Sequence, residues 1–388
     1  MPKPASRVEK IPPYLFARID KKKSEARSRG IDLVDFGVGD PDIPTPAHIV
    51  KAMQEAVAKP ANHRYPSYEG MPAFRQAAAD WFFGRFGVRL DPDTEVVVLI
   101  GSKEGIAHLP WAYLEEGDVA LIPSPGYPVY KVTTLLAGGA PYTMPLKEEN
   151  GFEPVFESIP EEVKRKAKIC FLNYPNNPTG AHGSDGLYEK AIDLARAHDI
   201  LICHDAAYSE ITYDGYIAKS ILQFDRKKRY SVEFLSLSKT YCMTGWRIGF
   251  AVGNSDAIQN LGTLKTNIDS GVFQAIQEAG IAALTGSQAC VAALNERLAA
   301  RRDLVVDGLT DSGIRVRKPL GSLYIWAHVP GGYTSAEFAE TLIEKTGVVV
   351  TPGSGFGEEG EGYFRMSITL GEERIREGIS RLKGLRLR

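Results

Sequence analysis

The chain has 388 residues, of which 44% are hydrophobic and 24% charged, values typical of a soluble globular protein and not of a disordered or fibrous one. This length is more than one compact core usually holds, so we expect two domains or a large domain with an appendage. Lys and Arg number 46 against 48 Asp and Glu. The near-neutral balance excludes a broad basic surface for nucleic acid or an anionic membrane, so an anionic ligand would have to be bound locally.

The segment from about residue 95 to residue 253 alternates short apolar runs with turn residues and helical patterns. The predicted strands are 95–100, 119–122, 169–172, 200–203, 233–237 and 248–252. Helical patterns cover 103–114, 129–136 and 187–198, the last preceded by the capping-type residues Ser184 and Asp185. Continuous apolar strands that alternate with helices predict an α/β fold, with a mostly parallel sheet covered by helices on both faces.

Beyond residue 285 the pattern changes. A long amphipathic helix near 288–308 precedes strand-like runs at 322–329, 347–351 and 363–369, and a terminal helix near 372–387. This order predicts a smaller α+β domain. The opening residues show no sheet pattern and could dock on either domain. We therefore predict a large domain over 46–284, and a small domain made of 1–45 together with 285–388.

The four cysteines are tens of residues apart, and no C-x-x-C or Cys/His group of zinc-site spacing occurs. We expect reduced thiols and no metal. The first residues lack the apolar core of a secretory signal, and no apolar run is long enough for a membrane helix. The sequence therefore predicts a cytoplasmic protein.

Polar clusters follow five of the predicted strands. They are 101–103, 124–127, 173–180, 205–208 and 236–239. Each has an ordinary structural explanation, since Asp205 could cap a helix, Tyr127 could be a packed aromatic and Lys239 a surface lysine. Ligands of open α/β sheets bind outside the carboxyl ends of the strands, however, and all five clusters would meet at that edge. We therefore predict a ligand site there.

Two other kinds of site are disfavoured by their context. Gly355, Gly357 and Gly360 form a G-x-G-x-x-G pattern, but a predicted strand follows it where a dinucleotide site needs a helix. His204 and Asp205 are adjacent, but successive strand residues point to opposite faces, which argues against a shared metal. The chain also contains no P-loop, G-x-S-x-G or H-E-x-x-H motif.

The segment 236–249, SLSKTYCMTGWRIG, is preceded by N-N-P-T-G at 176–180 and by D-x-x-Y at 205–208. These motifs, in this order and approximate spacing, resemble the pyridoxal-phosphate (PLP) dependent aminotransferases of the aspartate aminotransferase fold. The resemblance extends over almost the whole chain. It implies PLP as cofactor and transaminase activity, whereas a PLP-binding regulator would need an additional DNA-binding domain for which the chain has no room.

The resemblance also implies roles for individual residues. Lys239 would form the Schiff base with PLP and then move the substrate proton as a general base. Asp205 would pair with the ring nitrogen, where its negative charge favours the protonated pyridinium. Tyr208 and Asn177 would contact the 3-oxygen of the ring.

A phosphate in a nearly neutral protein needs a local set of donors. Ser102 and Lys103 would offer backbone N–H groups at a helix N-terminus. By the same resemblance, Ser236 and Ser238 would offer hydroxyls and Arg247 a bidentate charged contact.

Three further residues complete the implied site. Tyr127 would stack on the cofactor ring, and Tyr65 would reach the phosphate from the partner subunit of a homodimer. Arg365 would bind the substrate α-carboxylate through its guanidinium fork, although an exposed strand arginine is the ordinary alternative.

Stretches at 11–16, 37–40, 101–105 and 267–271 resemble one subgroup, the LL-diaminopimelate aminotransferases. The resemblance implies that Lys103 pairs with the distal carboxylate of the substrate, while Tyr14 and the Gly39 backbone order that end. Tyr127 and Asn177 would also contact substrate. An aspartate enzyme usually brings an arginine after the Schiff-base lysine, and none occurs in 264–271.

The implied reaction is amino transfer between LL-2,6-diaminopimelate and 2-oxoglutarate, with tetrahydrodipicolinate formed or consumed in lysine biosynthesis. Alanine, methionine, aromatic or N-succinyl-diaminopimelate aminotransferase activity remains an alternative, because sequence motifs fix the cofactor better than the substrate pocket. A carbon–sulfur β-lyase on the same fold is another.

Overall fold

A computed structural model describes residues 2–11 and 16–384. The strands within these ranges are β1 (Val34–Asp35), β2 (Val96–Leu99), β3 (Val119–Ser124), β4 (Ala140–Pro145), β5 (Ala167–Leu172), β6 (Leu201–Asp205), β7 (Ser231–Ser236), β8 (Gly249–Gly253), β9 (Tyr324–His328), β10 (Val348–Val349), β11 (Thr351–Pro352) and β12 (Tyr363–Ser367). The helices are α1 (Ser6–Glu9), α2 (Phe16–Ser28), α3 (Ala47–Val57), α4 (Pro72–Phe86), α5 (Ser102–Tyr113), α6 (Val129–Leu136), α7 (Glu161–Lys164), α8 (Asp185–His198), α9 (Leu237–Thr240), α10 (Ser255–Ile268), α11 (Gln274–Thr285), α12 (Ala289–Asp311), α13 (Ser335–Thr346) and α14 (Glu372–Lys383). Among these described residues, no helix is long and apolar enough to cross a bilayer.

The largest sheet has seven strands in the order β2-β8-β7-β6-β5-β3-β4. Strands β4, β3, β5, β6 and β7 pair in parallel, whereas β8 is antiparallel to both of its neighbours. The prediction of a mostly parallel sheet is confirmed, with β8 as the reversed strand. Only short helical turns separate β7 from β8. A parallel pair needs a long crossover that returns the chain to the starting end of the first strand, and without one β8 runs antiparallel to β7.

Both faces of this sheet are buried. Along β2, Val96 and Val98 belong to one core cluster, whereas Val97 and Leu99 belong to another. Helices α4, α8 and α11 contribute to the first cluster, and α5, α6 and α10 to the second. Residues that alternate between two cores must all be apolar, which explains why these strands appear in the sequence as continuous apolar runs.

Strand β4 was not predicted from the sequence. It lies at the edge of the sheet, carries Pro141 and Pro145, and most of its residues are partly or fully exposed. Proline cannot donate a ladder hydrogen bond and is therefore confined to edge strands.

The capping prediction for α8 is confirmed, since Ser184 Oγ accepts the N–H of Leu187 at 3.1 Å.

The C-terminal part forms a second, antiparallel sheet in the order β11-β12-β9. The predicted run 347–351 is divided, because β10 pairs with β1 and β11 pairs with β12. Val34 and Phe36 lie in a third core with Phe338 and Phe364, so the opening residues dock on the smaller α+β unit. The domain limits at residues 46 and 284 remain a prediction.

Candidate active site

A cavity of about 480 Å³, here called the site cavity, lies where strands β3, β5, β6 and β7 of the large sheet end. The structure brings most of the predicted site residues to its wall: Gly39, Ser102, Lys103, Tyr127, Asn177, Asp205, Tyr208, Ser236, Ser238, Lys239, Arg247 and Arg365. Tyr14 lies outside the described residues. Tyr65 does not line this cavity and is 88% exposed.

Lys239 enters the cavity from α9, the single helical turn that follows β7. Ser236 caps this turn, because its Oγ accepts the N–H of Ser238 at 3.2 Å. The Lys239 amine donates to the carbonyl of Gly39 at 2.7 Å. The Lys239 amine is thus held in the cavity, between the large sheet and the 37–39 loop. Lys239 is therefore not the surface lysine that was its ordinary alternative.

Asp205 is the last residue of β6 and is only 5% exposed. The residues directly after it form a turn and not a helix, so it is not a helix cap. Its Oδ2 accepts the hydroxyl of Tyr130 at 2.8 Å, and its Oδ1 accepts the N–H of Ala207 at 3.3 Å. Burial raises the pKa of this carboxyl above its ordinary value, although the Tyr130 hydroxyl and the Ala207 N–H favour the ionised form.

Two tyrosines meet on the side of the second sheet. The hydroxyls of Tyr208 and Tyr324 lie 3.1 Å apart, and burial together with Tyr324 raises the pKa of Tyr208 well above its ordinary value. A Cβ added at Gly39 would lie 2.2 Å from the Tyr324 hydroxyl oxygen. Only glycine therefore lets the 37–39 loop approach this pair and place its carbonyl on Lys239.

The start of α5 forms a set of donors suited to an anion. Ser102 is the first residue of the helix, and Arg247 donates to Ser238 Oγ at 3.4 Å and to the Thr244 carbonyl at 2.8 Å. A Cβ at Gly101, where φ is +76°, would lie 2.3 Å from a guanidinium nitrogen of Arg247. Helix N–H groups, hydroxyls and an arginine are the donors that proteins use for phosphate.

Arg365 extends from β12 and is 3% exposed, so it is not an exposed strand arginine. Its guanidinium donates to Asn177 Oδ1 and to the Gly37 carbonyl, both at 2.8 Å. The group lies 4.1 Å from the ring centroid of Tyr324 and 4.7 Å from that of Phe356. These contacts fix an arginine fork on the cavity wall, where it can bind a carboxylate.

Two of the predicted residues are less enclosed. Lys103 lines the cavity and is exposed. Tyr127 is partly buried and meets Tyr130 edge to face, with ring centroids 5.7 Å apart. Both residues follow large-sheet strands, as predicted.

Sequence reasoning missed Tyr130 and Tyr324, although each contacts a predicted site residue. Tyr130 occupies a helical pattern in which an aromatic residue normally indicates core packing, and it is in fact 1% exposed. Tyr324 lies on β9, more than a hundred residues after the Tyr208 that it contacts. No sequence signal identified either residue, because neither lies within the polar clusters predicted at the strand ends.

Comparison with known proteins identifies the family. The profile of aminotransferase class I and II matches residues 31–382. The chain is 54% identical to LL-diaminopimelate aminotransferase of Moorella thermoacetica, over 98% of this chain and 97% of that protein. It is 55% identical to the protein of the same name from Halothermothrix orenii, with the same coverage. The solved apo structure of BacF from Bacillus subtilis superposes with a TM-score of 0.96 at 38% identity, over 100% of this chain and 99% of that one. The chain therefore belongs to the class I and II aminotransferases.

Proposed function

We propose that this aminotransferase moves an amino group between LL-2,6-diaminopimelate and 2-oxoglutarate, with tetrahydrodipicolinate formed or consumed in lysine biosynthesis. Enzymes of this family depend on PLP, and the transaminase class follows from the family. The observation that carries the proposal is one cavity that holds a lysine amine, a buried aspartate and an arginine fork. The proposal is supported by the identity of 54–55% to curated enzymes of that name.

The residues present fit PLP. The absence of a Cβ at Gly101 keeps a space beside Arg247 and the start of α5, where a phosphate would be met by N–H, hydroxyl and guanidinium donors. The Asp205 carboxylate faces the same cavity and suits a cationic ring nitrogen. When bound, PLP supplies a carbonyl that condenses with amines and a ring that accepts the electrons released at the substrate α-carbon.

The chain's own groups bind the substrate and move its proton. Arg365 holds the substrate α-carboxylate, and its contact with Asn177 Oδ1 leaves the Asn177 amide nitrogen as the donor for the cofactor's 3-oxygen. The Lys239 amine takes the α-proton as a general base. The Gly39 carbonyl, 2.7 Å from that amine, orients it through a hydrogen bond. Tyr208 would hold the cofactor at its 3-oxygen, and Asp205 would hold it at its ring nitrogen.

The proposed substrate preference rests on the residues that would contact the second carboxylate of the substrate. Lys103 lines the cavity and is exposed, so its ammonium is available to a distal carboxylate. Lys265 is the one basic residue in the 264–271 stretch, but it is 1% exposed and is paired with Glu104 and Asp269. It therefore cannot act as the second carboxylate clamp that an aspartate-specific enzyme needs. Tyr14 and the Gly39 backbone remain the proposed partners of the distal ammonium end.

The proposal includes a homodimer in the cytoplasm. Tyr65 lies outside its own site cavity and is exposed, as are the neighbouring Tyr68 and, on α10, Ile268. A tyrosine so placed suits a role in the partner's site, where it would reach the phosphate. All four cysteines carry free thiols, which a reducing compartment maintains.

A panel of amino donors tests the substrate. With 2-oxoglutarate as acceptor, we expect LL-diaminopimelate to give the highest kcat/KM among LL- and meso-diaminopimelate, N-succinyl-diaminopimelate, aspartate, alanine, methionine and phenylalanine. Lys103→Met should raise KM for LL-diaminopimelate about tenfold and leave that for alanine unchanged, because alanine has no distal carboxylate. Negligible activity on LL-diaminopimelate would refute the substrate assignment. Pyruvate released from cystathionine without 2-oxoglutarate would identify a β-lyase instead.

A further inference from the structure

Tyr130 occupies a position that none of the assigned roles explains. It lies on α6, is 1% exposed, and donates its hydroxyl to Asp205 Oδ2 at 2.8 Å. Its ring stacks on Phe171 with centroids 4.8 Å apart and planes 16° apart. Thr134 Oγ1 donates to the Tyr130 carbonyl at 2.8 Å. Phe171 thus fixes the ring of Tyr130 and Thr134 contacts its backbone, while the Tyr130 hydroxyl points to the Asp205 carboxylate.

The Asp205 carboxylate needs such a partner. Removing a carboxylate from water disfavours its charged form, and burial does raise the Asp205 pKa. A hydroxyl that donates to the ionised oxygen opposes this effect, because the hydrogen bond is stronger to a carboxylate than to a neutral acid. Asn173 fixes the same residue from its backbone side, since its Nδ2 donates to the Asp205 carbonyl at 2.7 Å. Backbone and side chain of Asp205 are therefore both oriented.

We propose that Tyr130 is a positioning residue for the transamination, which keeps Asp205 ionised and directed at the ring nitrogen of PLP. The inference rests on the proposed function, in which Asp205 contacts that nitrogen. Tyr130 touches neither substrate nor the reacting atoms, and acts only through Asp205. Its loss should therefore change the properties of the bound cofactor more than it changes substrate binding.

Tyr130→Phe removes one oxygen and leaves the stacked ring. We expect the Kd for PLP to rise about 10- to 100-fold, the range that corresponds to one hydrogen bond to a charged group. The visible absorption band of the bound cofactor should change, and kcat should fall while KM for the amino donor stays nearly constant, because Arg365 is not affected. The matched control is Tyr174→Phe, which removes an equally buried hydroxyl whose partner is the Phe152 carbonyl at 2.7 Å.

A double-mutant cycle separates this role from general packing. In an Asp205→Asn background, which has no carboxylate to stabilise, Tyr130→Phe should change PLP affinity less than threefold. Equal effects of Tyr130→Phe with and without Asp205, or equal effects of Tyr130→Phe and Tyr174→Phe on PLP affinity, would overturn the proposal.

If Tyr130→Phe does not fold, fluorotyrosine introduced at position 130 keeps the shape and makes the phenol a stronger donor. The proposal then requires tighter PLP binding than in the parent protein, and unchanged or weaker binding contradicts it. Borohydride trapping in the parent protein distinguishes failure of the proposed site from failure of this inference. PLP trapped on a lysine other than Lys239 would refute the site itself. PLP trapped on Lys239, together with a Tyr130→Phe variant that binds PLP normally, would refute only the role of Tyr130.

Discussion

Lys265 holds two carboxylates together beside the start of α5. Its amine lies 2.9 Å from both oxygens of Asp269 and 3.2 Å from Glu104 Oε2. Glu104 Oε2 also accepts the N–H of Ile100, and Asp269 Oδ1 accepts that of Gly271. Lys265→Met keeps the apolar stem and removes the charge, so that two nearby carboxylates remain without their cation.

Burial determines the size of the effect. The Lys265 side chain is 1% exposed and its two partners 11% and 16%. Removing one partner of a buried ion pair costs about 3–5 kcal/mol, because the remaining charge stays desolvated. Since both carboxylates retain some contact with water, we expect about 3 kcal/mol. Lys59→Met is the matched control, because Lys59 pairs with Glu278 at 2.6 Å but is 56% exposed, and such a pair contributes about 0–1 kcal/mol.

The assay is urea denaturation of both variants and the parent protein, at fixed protein and PLP concentrations because ligand and subunit binding shift apparent stability. Lys265→Met should lower the midpoint clearly, whereas Lys59→Met should leave it nearly unchanged. Since the network anchors the residues before Ser102, Lys265→Met should also weaken PLP binding. A midpoint for Lys265→Met no lower than that for Lys59→Met would refute the reasoning.

The pH dependence gives a second check on Glu104. Burial raises the pKa of its carboxyl, but the hydrogen bond with His108, the charge of Lys265 and the Ile100 N–H together lower it below its usual 4.5. A carboxyl whose pKa is lower in the folded state stabilises the protein above the unfolded-state pKa, and this stabilisation is lost as the pH falls through the folded-state value. The stability difference between the parent protein and Lys265→Met should therefore be complete at neutral pH and shrink below about pH 4.5.

Three further predictions concern the site. Lys239→Ala should abolish borohydride-trappable PLP on the chain, and an adduct on another lysine in the parent protein would contradict the assignment. Mixing the inactive variants Tyr65→Ala and Lys239→Ala should restore part of the activity, since a heterodimer would contain one intact site; no recovery would argue against a shared site. Gly101→Ala should weaken PLP binding at least tenfold by pushing its Cβ against Arg247, whereas Gly84→Ala, with no atom within 4 Å of the new Cβ, should bind PLP normally.

Much of the large sheet could be predicted from the sequence, because strands buried on both faces must be apolar throughout. All six strands predicted there coincide with observed strands within about two residues at each end, a shift that assignment of strand ends alone can produce. Strand β4 was not predicted because an edge strand needs no continuous apolar run and tolerates proline. The division of 347–351 into two strands was not predicted either, because their pairing partners, β1 and β12, are set by the tertiary structure and not by the local pattern.

The residues that line the site cavity were predictable for a similar reason. Ser102, Asp205 and Lys239 each follow a recognisable strand, and the parallel arrangement brings those strand ends together. Tyr130 and Tyr324 were not predictable, since an aromatic residue in an apolar pattern carries no sign of the group that its hydroxyl will meet. Their partners, Asp205 and Tyr208, are 75 and 116 residues away in sequence.

The sequence by itself determined the order of the buried strands, the polar clusters at the strand ends and the local set of anion donors. Only the tertiary structure decided which backbone groups complete the site, such as the Gly39 carbonyl on Lys239 and the Gly37 carbonyl on Arg365. The physical reason is that periodicity reports whether a residue faces a core or solvent, whereas a hydrogen bond between distant segments depends on how whole elements pack.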